Sequence, residues 1–220
     1  MDLPTQPALV AREPIVRVVL LNAGKSTRLG GQNKLFVNAG GVPVHRWHER
    51  ALADHQVALV TRTEDIAQSV AQLPWLTRVV GHDLLDGPLG ALNAYLNAFK
   101  DDDQIAVLYS DTLFPEQPIS PGDWVGVAAL SSRAWDYRDR YRGWVHQPHP
   151  AEVAVGLYAF ADLTRLRDCI ARLGTKTDAH LPELLNLYGG GGGVGTHRVV
   201  GWHDAGDPDA LARVPSFTSR

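Results

Sequence analysis

An α/β fold with a largely parallel sheet is the architecture this sequence predicts. Two observations carry the prediction. Short apolar runs rich in β-branched residues recur along the 220 residues, and between them lie segments whose apolar residues fall at helical spacing. Strands alternating with helices are the pattern of a parallel sheet with helical crossovers.

The elements follow in order. Ile15–Leu21, bounded by Pro14 and by Asn22-Ala23-Gly24, reads as a buried strand. Val44–Asp54 has helical character after Pro43, and Val57–Thr61 is a second apolar strand. Glu64–Leu73 reads as a helix that Pro74 stops, and Arg78–Gly81 as a third strand. Leu89–Lys100 follows Asp86-Gly87-Pro88 and carries Leu89, Leu92, Tyr95, Leu96 and Phe99 at helical spacing. Asp101-Asp102-Asp103 reads as a solvated loop ahead of the strand Ile105–Tyr109. The second half is less regular. Trp124–Leu130 and Val153–Phe160 read as strands, Ala161–Leu173 as a helix capped by Asp162 and ended by Gly174, and Pro182–Tyr188 as another helix. Gly189–Gly193 is a glycine loop before a last strand, His197–Trp202.

Composition narrows the function classes. A formal net charge of −3 argues against a broad nucleic-acid-binding face, which would be basic. Cys169 is the single cysteine, so no disulfide forms within the chain. Residues 1–14 lack the apolar run of a secretory leader, and no segment approaches the ~20 apolar residues of a membrane span. A cytoplasmic protein with neither membrane nor nucleic-acid partner is expected.

Three short segments carry chemistry. The loop after the first strand combines Gly24, Gly30 and Gly31 with the cations Lys25, Arg28 and Lys34. Glycine lets a backbone approach an anion and aim N–H groups at it, and the cations add charge, so the loop reads as a phosphate site. It is not a P-loop, because Val19 stands where that motif needs a glycine, and it holds no G-x-G-x-x-G fingerprint. The other two segments end strands in a carboxylate, Asp111 and Asp204, 93 positions apart. A phosphate loop with two strand-end carboxylates suits a metal-assisted nucleotide reaction.

The loop Leu20–Leu29 resembles the signature of the sugar-1-phosphate nucleotidyltransferases, close to L-A-A-G-x-G-T-R-L followed by P-K. Ala23, Gly24, Thr27, Arg28, Leu29 and Lys34 match, while Asn22 replaces an alanine, Ser26 a glycine and Asn33 the proline before the lysine. The resemblance continues in order through Gly41-Val42-Pro43, Asp86–Ala91, Leu108–Phe114, Val155–Phe160 and Trp202–Pro208. It implies a Rossmann-like three-layer sandwich with a mostly parallel mixed sheet. One domain would span 15–213, with 15–115 the nucleotide half and 116–213 the acceptor half, flanked by an N-terminal extension, 1–14, and a tail, 214–220.

The resemblance also implies roles. Arg28 and Lys34 would be catalytic cations on the phosphates. Leu21, Asn22, Ala23, Gly24, Lys25, Ser26, Gly87 and Pro88 would bind the nucleotide. Asp111 and Asp204 would hold Mg²⁺. Gly156 and Tyr158 would border the acceptor. The family's Glu-Lys-Pro, whose lysine meets the sugar phosphate, is His146-Gln147-Pro148 here, which leaves His146 or Lys176 as substitutes. The partners implied are an NTP and a phosphorylated small molecule, a sugar-1-phosphate or a non-sugar acceptor such as a molybdopterin-type cofactor or phosphocholine. A non-catalytic nucleotide-binding protein is the competing class. Residues 133–144 interleave Arg133, Arg138, Arg140 and Arg142 with Trp135, Tyr137, Tyr141 and Trp144. Three uses stay open for them: an acceptor-side loop or hairpin, a plain surface or a subunit contact in a homo-oligomer, and nucleic-acid binding through base stacking.

Overall fold

The computed structural model describes residues 16–83, 87–115, 119–129, 134–139, 143–148, 152–174, 181–190 and 194–216. The first half runs β1 (Val16–Asn22), β2 (Asn38–Ala39), β3 (Val42–Pro43), α1 (Val44–Ala51), β4 (Gln56–Thr61), α2 (Ile66–Gln72), β5 (Arg78–Gly81), α3 (Gly87–Ala98), β6 (Gln104–Tyr109) and β7 (Thr112–Leu113). The second half runs β8 (Trp124–Ala129), β9 (Ala134–Asp139), β10 (Gly143–Pro148), β11 (Glu152–Phe160), α4 (Leu163–Leu173), α5 (Leu181–Gly189), β12 (Gly195–Arg198), β13 (His203–Asp204) and α6 (Pro208–Ala212).

Nine strands form one mixed sheet with the path β10-β9-β11-β6-β1-β4-β5, while β8 pairs with β11 and β12. β6, β1, β4 and β5 are parallel, and β11 joins β6 antiparallel. Successive β1 residues point to opposite faces. Val19 and Leu21 enter a core under α3, α4 and α5, whereas Val18 and Leu20 enter a second core with Val44 and Trp47 of α1. Burial on both faces explains why β1 is apolar on both sides from Val18 to Leu21. This is the expected three-layer arrangement.

Caps follow the sequence. Asp162 accepts a hydrogen bond from the Arg165 N–H at 2.9 Å and opens α4, and Asp207 does the same for Ala210 at 2.8 Å in α6. Within 133–144, β9 pairs antiparallel with β10, from Gly143↔Asp139 to Pro148↔Ala134.

Two expectations need correction. The last strand is not one element. β12 ends at Arg198, the chain turns at Gly201 (φ +74°), and only then does β13 form, against β7 rather than in the main sheet. A Cβ on Gly201 would lie 3.2 Å from Pro115 Cγ, so the turn is both left-handed and crowded. Asp101–Asp103 is also not simply solvated. The Asp102 side chain is 5 % exposed and pairs with Arg17 at 2.7 Å and Arg78 at 3.1 Å, while the Tyr95 hydroxyl donates to it. Asp101 adds a second contact to Arg78 at 2.9 Å. These cations come from β1 and β5, whose starts converge on the start of β6; a local sequence window holds only the acids.

Candidate active site

The site lies at the carboxyl ends of the parallel strands. In an open α/β sheet the chain leaves these ends in loops, so functional groups collect there. After β1, Gly24, Lys25 and Ser26 make no backbone-to-backbone donor bond among the described residues, which leaves their N–H groups for another partner. The loop then closes on itself, with the Leu29 and Gly31 N–H groups donating to the Ser26 carbonyl at 2.9 and 3.0 Å. Ser26 adopts φ +50°, the one positive value at a non-glycine among the described residues. It stands where the resemblance expects glycine, and such strain costs about 1–3 kcal/mol.

The two carboxylates are joined by a short ladder. β13 pairs with β7 so that Asp204 lies opposite Thr112, and the Ala205 N–H donates to the Asp111 carbonyl at 2.7 Å. The Gly206 N–H donates to Asp204 Oδ1 at 2.8 Å. A Cβ on Gly206 would sit 2.9 Å from Asp204 Oδ1, 3.2 Å from Asp111 Oδ2 and 3.5 Å from Arg28 Nη2. Two carboxylates and a guanidinium therefore converge on the open side of one glycine. Lys34 completes the group, its ammonium paired with Asp111 Oδ2. Arg28 is 62 % exposed in its side chain and 3.8 Å from Asp207, which leaves it loosely held beside the carboxylates.

Asp111 is also fixed from behind. His48 of α1 is 1 % exposed, and its Nε2 lies 2.9 Å from the Ser110 carbonyl. A carbonyl can only accept, so Nε2 carries the proton and donates. Burial lowers the His48 pKa to about 4, which keeps the ring neutral at pH 7. The sequence gives His48 away only as one of two histidines, with His45, on the same helix face.

The other expected residues separate by place. Arg28, Lys34, Asp111 and Asp204 come together. Leu21, Asn22 and Ala23 are buried, the Asn22 side chain being engaged with Asn33 and Thr61. Gly87 (φ +61°) and Pro88 open α3. Gly156 (φ +75°) bends β11 where its pairing with β8 shifts register, and a Cβ there would lie 2.7 Å from Thr112 Oγ1. Tyr158 is 1 % exposed and packs against Tyr109 with ring centroids 5.8 Å apart, so its ring offers no surface to an acceptor. His146 lies on β10, but its side chain is outside the described residues, as are Lys176 and Asp86.

Fold and site together are similar to those of the NTP-transferase class. Residues 18–120 match the model of the MobA-like NTP transferase domain. Similar solved structures extend the likeness to nearly all of the chain. A protein assigned as a glucose-1-phosphate thymidylyltransferase, from Bacillus anthracis, aligns with TM-score 0.74 and 17 % identity over 90 % of this chain and 93 % of its own. A nucleoside-diphosphate-sugar pyrophosphorylase from Vibrio cholerae aligns at 0.67 and 17 % over 90 % and 98 %. The inositol-1-phosphate CTP transferase from T. maritima aligns at 0.69 and 13 % over 94 % and 98 %. No curated protein matches the sequence significantly. No described helix is long and apolar enough to cross a membrane.

Proposed function

We propose that this protein transfers a nucleotidyl group from an NTP to a sugar-1-phosphate and releases pyrophosphate. The observation that carries the reading is the convergence of Arg28, Asp111 and Asp204 on Gly206, with Lys34 alongside, beside the phosphate loop. An acceptor phosphate oxygen attacks the α-phosphorus, and the bond to the bridging oxygen breaks, so pyrophosphate departs with that electron pair. Both reactants are anionic, so holding them in line and neutralising charge is most of the work.

Arg28 is exposed and forked, suited to bidentate contact with the triphosphate. Lys34 neutralises the α-phosphate or the departing pyrophosphate. Free N–H groups of Gly24–Ser26 take further phosphate oxygens, and Gly87 lets the base approach the backbone. The donor set fits Mg²⁺. Asp111 and Asp204 are hard oxygen ligands, and no cluster of three or more His, Cys, Asp or Glu exists among the described residues. Two carboxylates leave the remaining positions to water and substrate phosphates, as Mg²⁺ prefers. When bound there, Mg²⁺ would supply positive charge that stabilises the charge developing on the phosphates.

A non-sugar phosphorylated acceptor is the second reading, favoured by His146 where the resemblance expects the lysine for the sugar phosphate. The four common NTPs, offered with Mg²⁺ and a panel of sugar-1-phosphates, inositol-1-phosphate and phosphocholine, test both. Pyrophosphate release with a sugar-1-phosphate is expected. Release only with a non-sugar acceptor moves the assignment to the second reading. NTP binding without release from any pair sinks the enzymatic reading.

A further inference from the structure

Two residues at which the loop departs from the nucleotidyltransferase signature touch each other. Asn22, at the end of β1, donates from Nδ2 to Asn33 Oδ1 at 2.8 Å and to Thr61 Oγ1 at 3.3 Å. Asn33 Oδ1 accepts a second bond from the Leu35 N–H at 3.1 Å, which caps the 3₁₀ turn Lys34–Phe36. With two donors on Oδ1 the amide cannot be turned over, because that would set N–H against N–H. Asn33 Nδ2 is then buried with no partner among the described residues. An orphaned donor costs roughly 1–3 kcal/mol, and proline at this position would not carry it. Asn33 nonetheless holds φ −67°, the value a proline ring enforces. The next residue is Lys34, whose ammonium reaches Asp111.

We propose that Asn22 and Asn33 form a clasp that positions Lys34 against Asp111, doing through hydrogen bonds what a proline ring would do by covalent restraint. Asn22 is on this account a positioning residue rather than a nucleotide contact. The clasp ties the end of β1 to the turn that launches Lys34, while Thr61 ties the same amide to the end of β4. The chain of contacts runs from the sheet, through the two amides, to the lysine and then to the strand-end carboxylate. The catalytic part of this proposal rests on the reading of Lys34 as a cation for substrate phosphate.

The test is a set of variants assayed for pyrophosphate release. Asn22→Ala and Asn33→Ala should each lower kcat about tenfold with the KM for NTP little changed, since small misplacement of a reacting group costs rate. The double alanine variant should lose no more than either single one. Asn22→Ala/Asn33→Pro, which restores the signature residues, should regain most of the rate. In a Lys34→Ala background, Asn22→Ala should cost nothing further. Additive losses, no recovery with proline, or a full Asn22→Ala loss without Lys34 would each overturn the clasp. Amide exchange at Leu35 reads the clasp without turnover: exchange should quicken in Asn22→Ala, and unchanged exchange would refute it. An inactive wild type with this exchange response would sink the proposed function and leave the clasp standing.

Discussion

The two ends of the parallel sheet use the same residue types and put them to opposite ends. At the amino ends of the strands, Arg17, Arg78, Asp101, Asp102 and Tyr95 close on one another, and Asp102 is 5 % exposed. Burial and the Asp102 carboxylate hold the Tyr95 phenol well above its usual range. At the carboxyl ends, Lys34 pairs with Asp111, but Arg28 lies 3.8 Å from Asp207 with its side chain 62 % exposed. Charge density alone therefore does not mark a site. What marks it is an exposed guanidinium beside two carboxylates, and a glycine that keeps the space between them open.

Substitutions at the two ends should separate accordingly. The largest effect is expected for Asp111→Asn, which should cut turnover at least ~10³-fold if the ion it holds supplies several kcal/mol; near-normal kcat would remove Asp111 from the metal role. Its melting temperature should move little. Asp102→Ala should do the reverse, costing about 3–5 kcal/mol of stability because it strands buried cations, with kcat of the folded fraction unchanged. Denaturant unfolding alongside kcat measures that contrast, and an Asp102→Ala protein that lost rate but not stability would dissolve it.

Smaller effects sharpen the picture behind Asp111. In the metal-free protein His48 has a folded pKa of about 4 against an ordinary 6.5, with His45 and Asp111 as its charged or titratable neighbours. The unfolded chain takes up its proton first, so the contribution is whole above pH 6.5 and is lost as pH falls towards 4. The loss reaches at most about 3 kcal/mol, from 1.36 kcal/mol per pKa unit. Urea unfolding across this window should therefore show a slope that His48→Gln flattens; an unchanged slope would discount the buried neutral ring. Ser26→Gly should relieve the left-handed strain and stabilise by about 0.5–1 kcal/mol, readable as a rise in melting temperature, while any fall would mean the hydroxyl is engaged.

The fold was largely legible because buried parallel strands and their helices advertise themselves locally. Ile15–Leu21, Val57–Thr61 and Ile105–Tyr109 are read to within a residue of their observed bounds, since two-sided burial makes each predominantly apolar on both faces. The strand read over His197–Trp202 failed because Gly201 and Pro115, far apart in sequence, decide where the chain turns. Asp111 and Asp204 were legible from motifs at strand ends. Asp102 as an ion-pair hub, His48 behind Ser110 and the Asn22–Asn33 contact were not, because each depends on a partner that only the folded topology supplies.

The β7–β13 ladder has one more consequence. It spans two residue pairs, His203↔Leu113 and Asp204↔Thr112, and with the Ala205 N–H to Asp111 carbonyl bond it sets the second carboxylate beside the first. Closing so long a loop for so little pairing is entropically late. As the chain emerges from a ribosome, the phosphate loop and Asp111 would be complete well before His203 has been added. A chain ending before His203 would keep Asp111 but lose Asp204 and the strand that faces β7 together.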